Sequence, residues 1–233
     1  MVAPRDVMQF FRSLSLGRVV ALMAALLVVK VTLSIVLGYR DYFPPNFRSD
    51  FLSGRQSYFF GAYRWAFYAH LASGPVTLLA GLALVSERFR RSRPGLHRSL
   101  GKLQIGLVAF VLAPSGAWMS WYAQSGGVAG AGFFVLAILT AFCALMGWRS
   151  ATRRRFAEHR QWMMRCFLLL CSAVVVRLVG GLATVTGVDA AWIYPLTAWV
   201  SWIAPLAVFE TSELMRRRQE RQSPRGVLWP SGA

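Results

Sequence analysis

Six stretches of the chain are apolar over the length of a membrane-spanning helix, and this constrains the fold more than any other feature. Crossing a hydrocarbon core of roughly 30 Å takes about 20 residues of helix, because lipid offers no partner to a backbone N–H or C=O. The stretches run near Val19 to Leu37, Trp65 to Val85, Leu100 to Tyr122, Val128 to Trp148, Trp162 to Thr184 and Trp192 to Phe209. Membrane barrel strands would alternate in polarity, and continuous runs such as Ala21 to Val29 do not. The expected fold is all-α: a polytopic membrane protein with six transmembrane helices.

Composition agrees. Of the 233 residues, 56% are hydrophobic and 15% charged, against roughly a quarter charged in an ordinary soluble domain. A soluble domain and a disordered chain are both excluded. Cys143, Cys166 and Cys171 fall inside the expected spans without a CxxC pair, which suits reduced, buried side chains rather than a disulfide scaffold.

The 24 Arg and two Lys set the expected orientation, since short positively charged loops stay in the cytoplasm. With the N-terminus inside, the inner segments hold Arg5, Arg12 and Arg18; Arg88 to Arg98; Arg149 to Arg160; and Arg216 to Arg225. The outer segments hold only Arg40, Arg48, Arg55 and Arg64, in a stretch that also carries Asp41 and Asp50. Both termini are therefore expected in the cytoplasm of a bacterial inner membrane. The first apolar run is followed by Gly38-Tyr39-Arg40 instead of a small-residue cleavage site, so it reads as a retained helix. The net charge of +17 is read as topology signal and contact with anionic lipid, with no nucleic-acid motif to suggest otherwise.

Residues 1–214 read as one six-helix domain, and residues 215–233 as a basic, mobile cytoplasmic tail. The outer loop from Tyr39 to Arg64 is dense in aromatics around Pro44-Pro45. The favoured reading is an interfacial belt in the headgroup layer; the alternative is a lid folded over the bundle mouth. Arg91, Arg93, His97 and Arg98 recur at constant offset as Arg153, Arg155, His159 and Arg160. The echo implies two related hairpins, helices two with three and four with five, in a central four-helix bundle flanked by helices one and six.

The run from His70 to Gly74-Pro75, the segment His97-Arg98 with Gly101-Lys102, the block His159-Arg160-Gln161-Trp162-Met163-Met164-Arg165 and the later Arg177 together resemble the bacterial multi-pass membrane family DUF2306, a domain of unknown function. The resemblance covers about residues 65 to 185. It implies a multi-pass architecture and supplies no reaction. Lys102 departs from the Arg expected after Gly101, keeping the charge and losing the planar fork.

Charged groups inside a span cost several kcal/mol on insertion scales, so each marks a candidate site. Lys30, His70 and Arg177 all fall roughly 9 to 12 Å below the outer boundary at 1.5 Å per residue, with Ser73, Thr77, Met119 and Tyr122 nearby. No carboxylate is expected at that depth, so the three would favour a bound anion; the competing reading is that Lys30 snorkels outward and Arg177 bonds a helix-end carbonyl. At the opposite end, His97, Arg98, His159 and Arg160 begin helices three and five. Positive-inside sorting explains these arginines and leaves the histidines unexplained. They could bind a metal, a haem or an anionic headgroup, or bond loop carbonyls at the interface.

Zinc-to-nitrogen bonds of about 2.1 Å rule out one site for all three histidines, since His70 lies more than about 20 Å along the helices from the His97 and His159 pair. No metal centre is assigned. The expected function is binding or transport of an anionic small molecule or lipid headgroup at the outer cationic site. Two alternatives stand beside it. One is a redox protein, linked to quinone or holding one haem b, either between His97 and His159 or at His70 with Met119. The other is a structural or accessory role among membrane lipids and partner proteins. No nucleophile with an adjacent base is visible, so no enzymatic reaction is assigned.

Overall fold

The structure, a computed structural model, describes residues 16–49, 51–188 and 190–222. Helices account for nearly all of them, and no strand ladder forms among the described residues. The first is α1 (Leu16–Leu37), followed by a 3-10 turn over Gly38–Asp41. Next comes α2 (Arg64–Val85), then the short α3 (Glu87–Ser92). The third span is built from α4 (Pro94–Leu107), a π-helical turn over Val108–Leu112 and α5 (Ala113–Ser120). Then follow α6 (Gly127–Thr152), α7 (Phe156–Leu170), α8 (Ser172–Thr186) and α9 (Ile193–Gln222). Six helical segments are long and apolar enough to cross a membrane, so this is an all-α polytopic membrane protein.

The second span packs on the third and fifth, and the fourth on the third and fifth, which closes a ring of four. The first span lies outside against α2 and α8, and α9 outside against α6, α7 and α8. The core of the ring is Leu78, Val108, Leu112, Ala144, Cys166, Leu169 and Leu170, to which α1 adds Val28 and Val31 and α9 adds Trp202. The cysteines are free, two of them buried.

Three boundaries differ from the sequence reading, each for an electrostatic or hydrogen-bonding reason. The third and fifth spans start at Pro94 and Phe156, ahead of Leu100 and Trp162. In both, the first helical bond runs from a histidine N–H to an arginine carbonyl, His97 to Arg93 and His159 to Arg155, each at 2.9 Å. Polar first turns hide a helix from a hydropathy reading. Likewise α9 continues to Gln222, through the start of the expected tail at residue 215, because Arg216 pairs with Glu213 and Glu220 along one helix face. The expectation of mobility beyond that concerns residues 223–233, outside the described residues.

The aromatic loop is a second core rather than a belt spread along the interface. Leu52 and Phe59 are 0% exposed and Tyr63 2% exposed. Edge-on pairs such as Phe47–Phe59 and Tyr42–Phe67, at centroid distances of 5.3 and 5.2 Å, tie the loop onto the start of α2. Tyr58 stacks on Tyr122 at 4.6 Å and so fastens the loop to the end of the third span. It caps one end of the bundle, the end poorer in arginine.

Candidate functional site

Beneath this cap the second and third spans are both interrupted. Pro75 inside α2 has no N–H, which leaves the Leu71 carbonyl one turn earlier without its helical donor. Inside a bilayer that acceptor needs another partner, and the Tyr39 hydroxyl supplies it at 2.8 Å from the end of the first span. Facing this break is the π-helical turn Val108–Leu112, which ends next to Pro114. A Cβ placed on Gly74 would lie 3.9 Å from the Leu112 Cδ1, so the two discontinuities meet.

A cavity of about 310 Å3 opens at this meeting point. Its apolar wall includes Ile35, Leu78, Leu112, Leu136, Leu169 and Val176. Its polar groups include His70, Arg55, Arg177, Tyr39, Tyr63 and Tyr194, and no described residue puts a carboxylate in the lining. The Arg55 side chain is 3% exposed; its Nε donates to the Tyr63 hydroxyl at 3.2 Å and its guanidinium lies 4.5 Å from the Phe51 ring centroid. Tyr194 lies in the electrostatic field of both Arg55 and Arg177. Among the described residues, neither arginine takes part in an ion pair.

His70 sits over Gly116, where a Cβ would come within 3.2 Å of the ring. Its Nδ1 lies 3.3 Å from the Ser115 hydroxyl, which itself donates to the Leu112 carbonyl at 3.0 Å. With the hydroxyl proton so used, the serine oxygen accepts and Nδ1 carries the ring proton. That leaves Nε2 as an acceptor with no partner among the described residues.

Sequence and structure differ on two of the expected site residues. Lys30 is exposed on the outer face of α1 and does not line the cavity; its helix is apolar all round, so depth alone was visible and direction was not. Arg98 is likewise exposed and lines neither this cavity nor the smaller one described below. His70 and Arg177 share the large cavity, and the second cation there is Arg55, which sequence reasoning assigned to the loop. One signal was available: an arginine on the arginine-poor side runs against topology and needs a reason of its own.

His97, His159 and Arg160 line a different cavity, of about 200 Å3, at the arginine-rich end. No group of three His, Cys, Asp or Glu positioned to hold a metal ion occurs among the described residues. Between the ends, Arg165 on α7 bonds Glu210 on α9 through two nitrogens, one at 3.0 Å, and lies 4.8 Å from the Trp162 ring centroid. Beside it, Gln161 donates to Glu213 at 3.0 Å.

A family model, that of the predicted membrane proteins DUF2306, matches residues 67–212, which takes in most of the second to sixth spans, the whole lining of the smaller cavity and part of the larger, whose Tyr39, Arg55 and Tyr63 lie outside the match. No curated protein and no solved structure matches the chain.

Proposed function

The chain belongs to the DUF2306 family of predicted membrane proteins, and we propose that it binds an anionic amphiphile in the larger cavity, headgroup against Arg55 and Arg177 and chain along the apolar wall. The observation that carries this reading is a void between broken helices that pairs apolar walls with two guanidinium groups and no carboxylate among the described residues. Arg55 is a buried cation without an ion-pair partner among the described residues, which is costly, and an entering anion relieves that cost; Arg177, exposed on α8, adds a second positive charge. Tyr39, Tyr63, Tyr194 and His70 add polar groups that can orient a headgroup. By positive-inside sorting, this end faces the periplasmic side of a bacterial inner membrane, and both termini face the cytoplasm. Interrupted helices lining a cavity are a construction used by transporters, so carriage of the bound amphiphile is the activity we attach to the site.

Palmitate and its uncharged methyl ester test the reading, added to delipidated protein in detergent and followed by thermal unfolding and native mass spectrometry. Palmitate is expected to raise the melting temperature and the ester to leave it unchanged. Arg177→Gln removes a charge-assisted contact worth about 1.5–3 kcal/mol, so palmitate affinity should fall roughly 10- to 100-fold. Equal stabilisation by acid and ester, or undiminished affinity in both Arg177→Gln and Arg55→Gln, overturns the proposal.

A further inference from the structure

The smaller cavity has a ligand requirement of its own. Gln104 lines it and is 2% exposed. Its amide nitrogen donates to the Thr77 carbonyl at 2.8 Å. A carbonyl only accepts, so the nitrogen must be the atom facing Thr77, and the amide oxygen is the atom left over. That oxygen is buried, and no described group donates to it. A buried acceptor in this condition costs about 1–3 kcal/mol, which a donor from a ligand would recover.

The other polar groups of the cavity are ordered along it. His97, Gly101 and Gln104 follow one another at four- and three-residue steps on one face of α4 and all line the cavity, which puts Gln104 roughly 10 Å deeper than His97. The His97 Nδ1 is buried and also lacks a partner. The His159 Nδ1 lies 2.9 Å from the Gly147 carbonyl, so it carries a proton there and the ring's other nitrogen is left free. Arg90 and Arg160 complete the wall, against one carboxylate, Glu87, which Arg91 engages at 2.6 Å and Arg90 at 3.5 Å. The excess of positive charge lies at the His97 end, and the unmet acceptor lies at the Gln104 end.

A ligand complementary to this order carries a negative group at one end and a hydroxyl donor at the other. We propose that the cavity binds a glycerophosphate group, its phosphate among Arg160, Arg90, His97 and His159 and a glycerol hydroxyl donating to the Gln104 Oε1. The same chemistry comes from two sources: the headgroup of phosphatidylglycerol in the adjoining leaflet, or glycerol 3-phosphate in solution. Phosphate is an anion that guanidinium forks hold with paired bonds, and the polyol accounts for the glutamine, which a bare anion would leave unsatisfied.

Thermal unfolding of the full chain in detergent tests this with four probes: glycerol 3-phosphate, phosphatidylglycerol, inorganic phosphate and glycerol. At least one of the first two is expected to stabilise the protein at tenfold lower concentration than inorganic phosphate or glycerol. Which of the two does so identifies the source. Gln104→Leu removes the unmet acceptor, so its ligand-free melting temperature should hold or rise while affinity for the active probe falls tenfold or more. His97→Gln reports independently should Gln104→Leu fail to fold, and Lys30→Gln, which lines neither cavity, should bind the active probe as the wild type does. Phosphate alone matching glycerol 3-phosphate, no stabilisation by any probe, or wild-type affinity in Gln104→Leu and His97→Gln overturns the assignment.

Discussion

Two cations exchange roles between sequence and structure, and the exchange is testable residue by residue. Lys30 is exposed on α1, while Arg55 is sunk in the aromatic cap against Phe51 and Tyr63. Arg55→Ala should therefore destabilise the protein by about 2–4 kcal/mol through lost packing and an orphaned tyrosine hydroxyl, whereas Lys30→Ala should change the melting temperature little. Equal effects of the two substitutions in a thermal melt would contradict the assignment. Close approaches give a second pair. A Cβ on Gly130 would meet the Ser120 carbonyl oxygen at 2.7 Å, which is backbone and cannot step aside, while one on Gly147 would meet the Met163 sulfur at 2.5 Å, the end of a flexible side chain. Gly130→Ala should cost about 1–3 kcal/mol and Gly147→Ala distinctly less, as read from denaturation midpoints. For His70 and Arg177 the residue type and the position along a span were legible in the sequence, and the structure places both in the lining of one cavity. What was not legible was azimuth: a helix that is apolar all round carries no face, so nothing in it said that Lys30 turns outward.

At the level of elements, the spans could be read because lipid demands length and apolarity, and their polar ends could not, because those demands stop at the interface. The Pro75 break shows how one element completes another. Its missing N–H frees the Leu71 carbonyl, and the Tyr39 hydroxyl from the end of the first span takes it. Tyr39→Phe should cost about 1–2 kcal/mol in the native sequence. In a Pro75→Ala background, where the helix supplies its own donor, the same change should cost close to nothing. The coupling in this double-mutant cycle, measured by unfolding, is the expected signature, and additive effects would show that the hydroxyl serves another purpose. The Arg165–Glu210 bond joins α7 to α9 in the same sense. Arg165→Lys keeps the charge, but loses the two-nitrogen grip on Glu210 and the guanidinium plane beside Trp162, so it should destabilise nearly as much as Arg165→Met.

Over the whole molecule, the two cavities lie toward opposite ends of one bundle and share a single lining residue, Leu170. It sits at the last position of α7, directly before the break at Cys171, and is 8% exposed. The large cavity reaches Leu78, Leu169 and Leu170 from one side, and the small one reaches Gln104, Cys166 and Leu170 from the other. The partition is therefore about one side chain thick. Truncating it should join the two voids, at a stability cost near the low end of the roughly 2–5 kcal/mol typical of Leu→Ala, because the vacated space opens onto existing cavities. Cys166 gives a readout: it is 1% exposed and lines the small cavity. With Cys143 and Cys171 changed to serine, a small water-soluble thiol reagent added from the arginine-poor face should leave the otherwise wild-type protein unlabelled and modify Cys166 in Leu170→Ala. Labelling that is unchanged by the substitution would mean that the barrier is thicker than one leucine and that the two cavities are independent chambers.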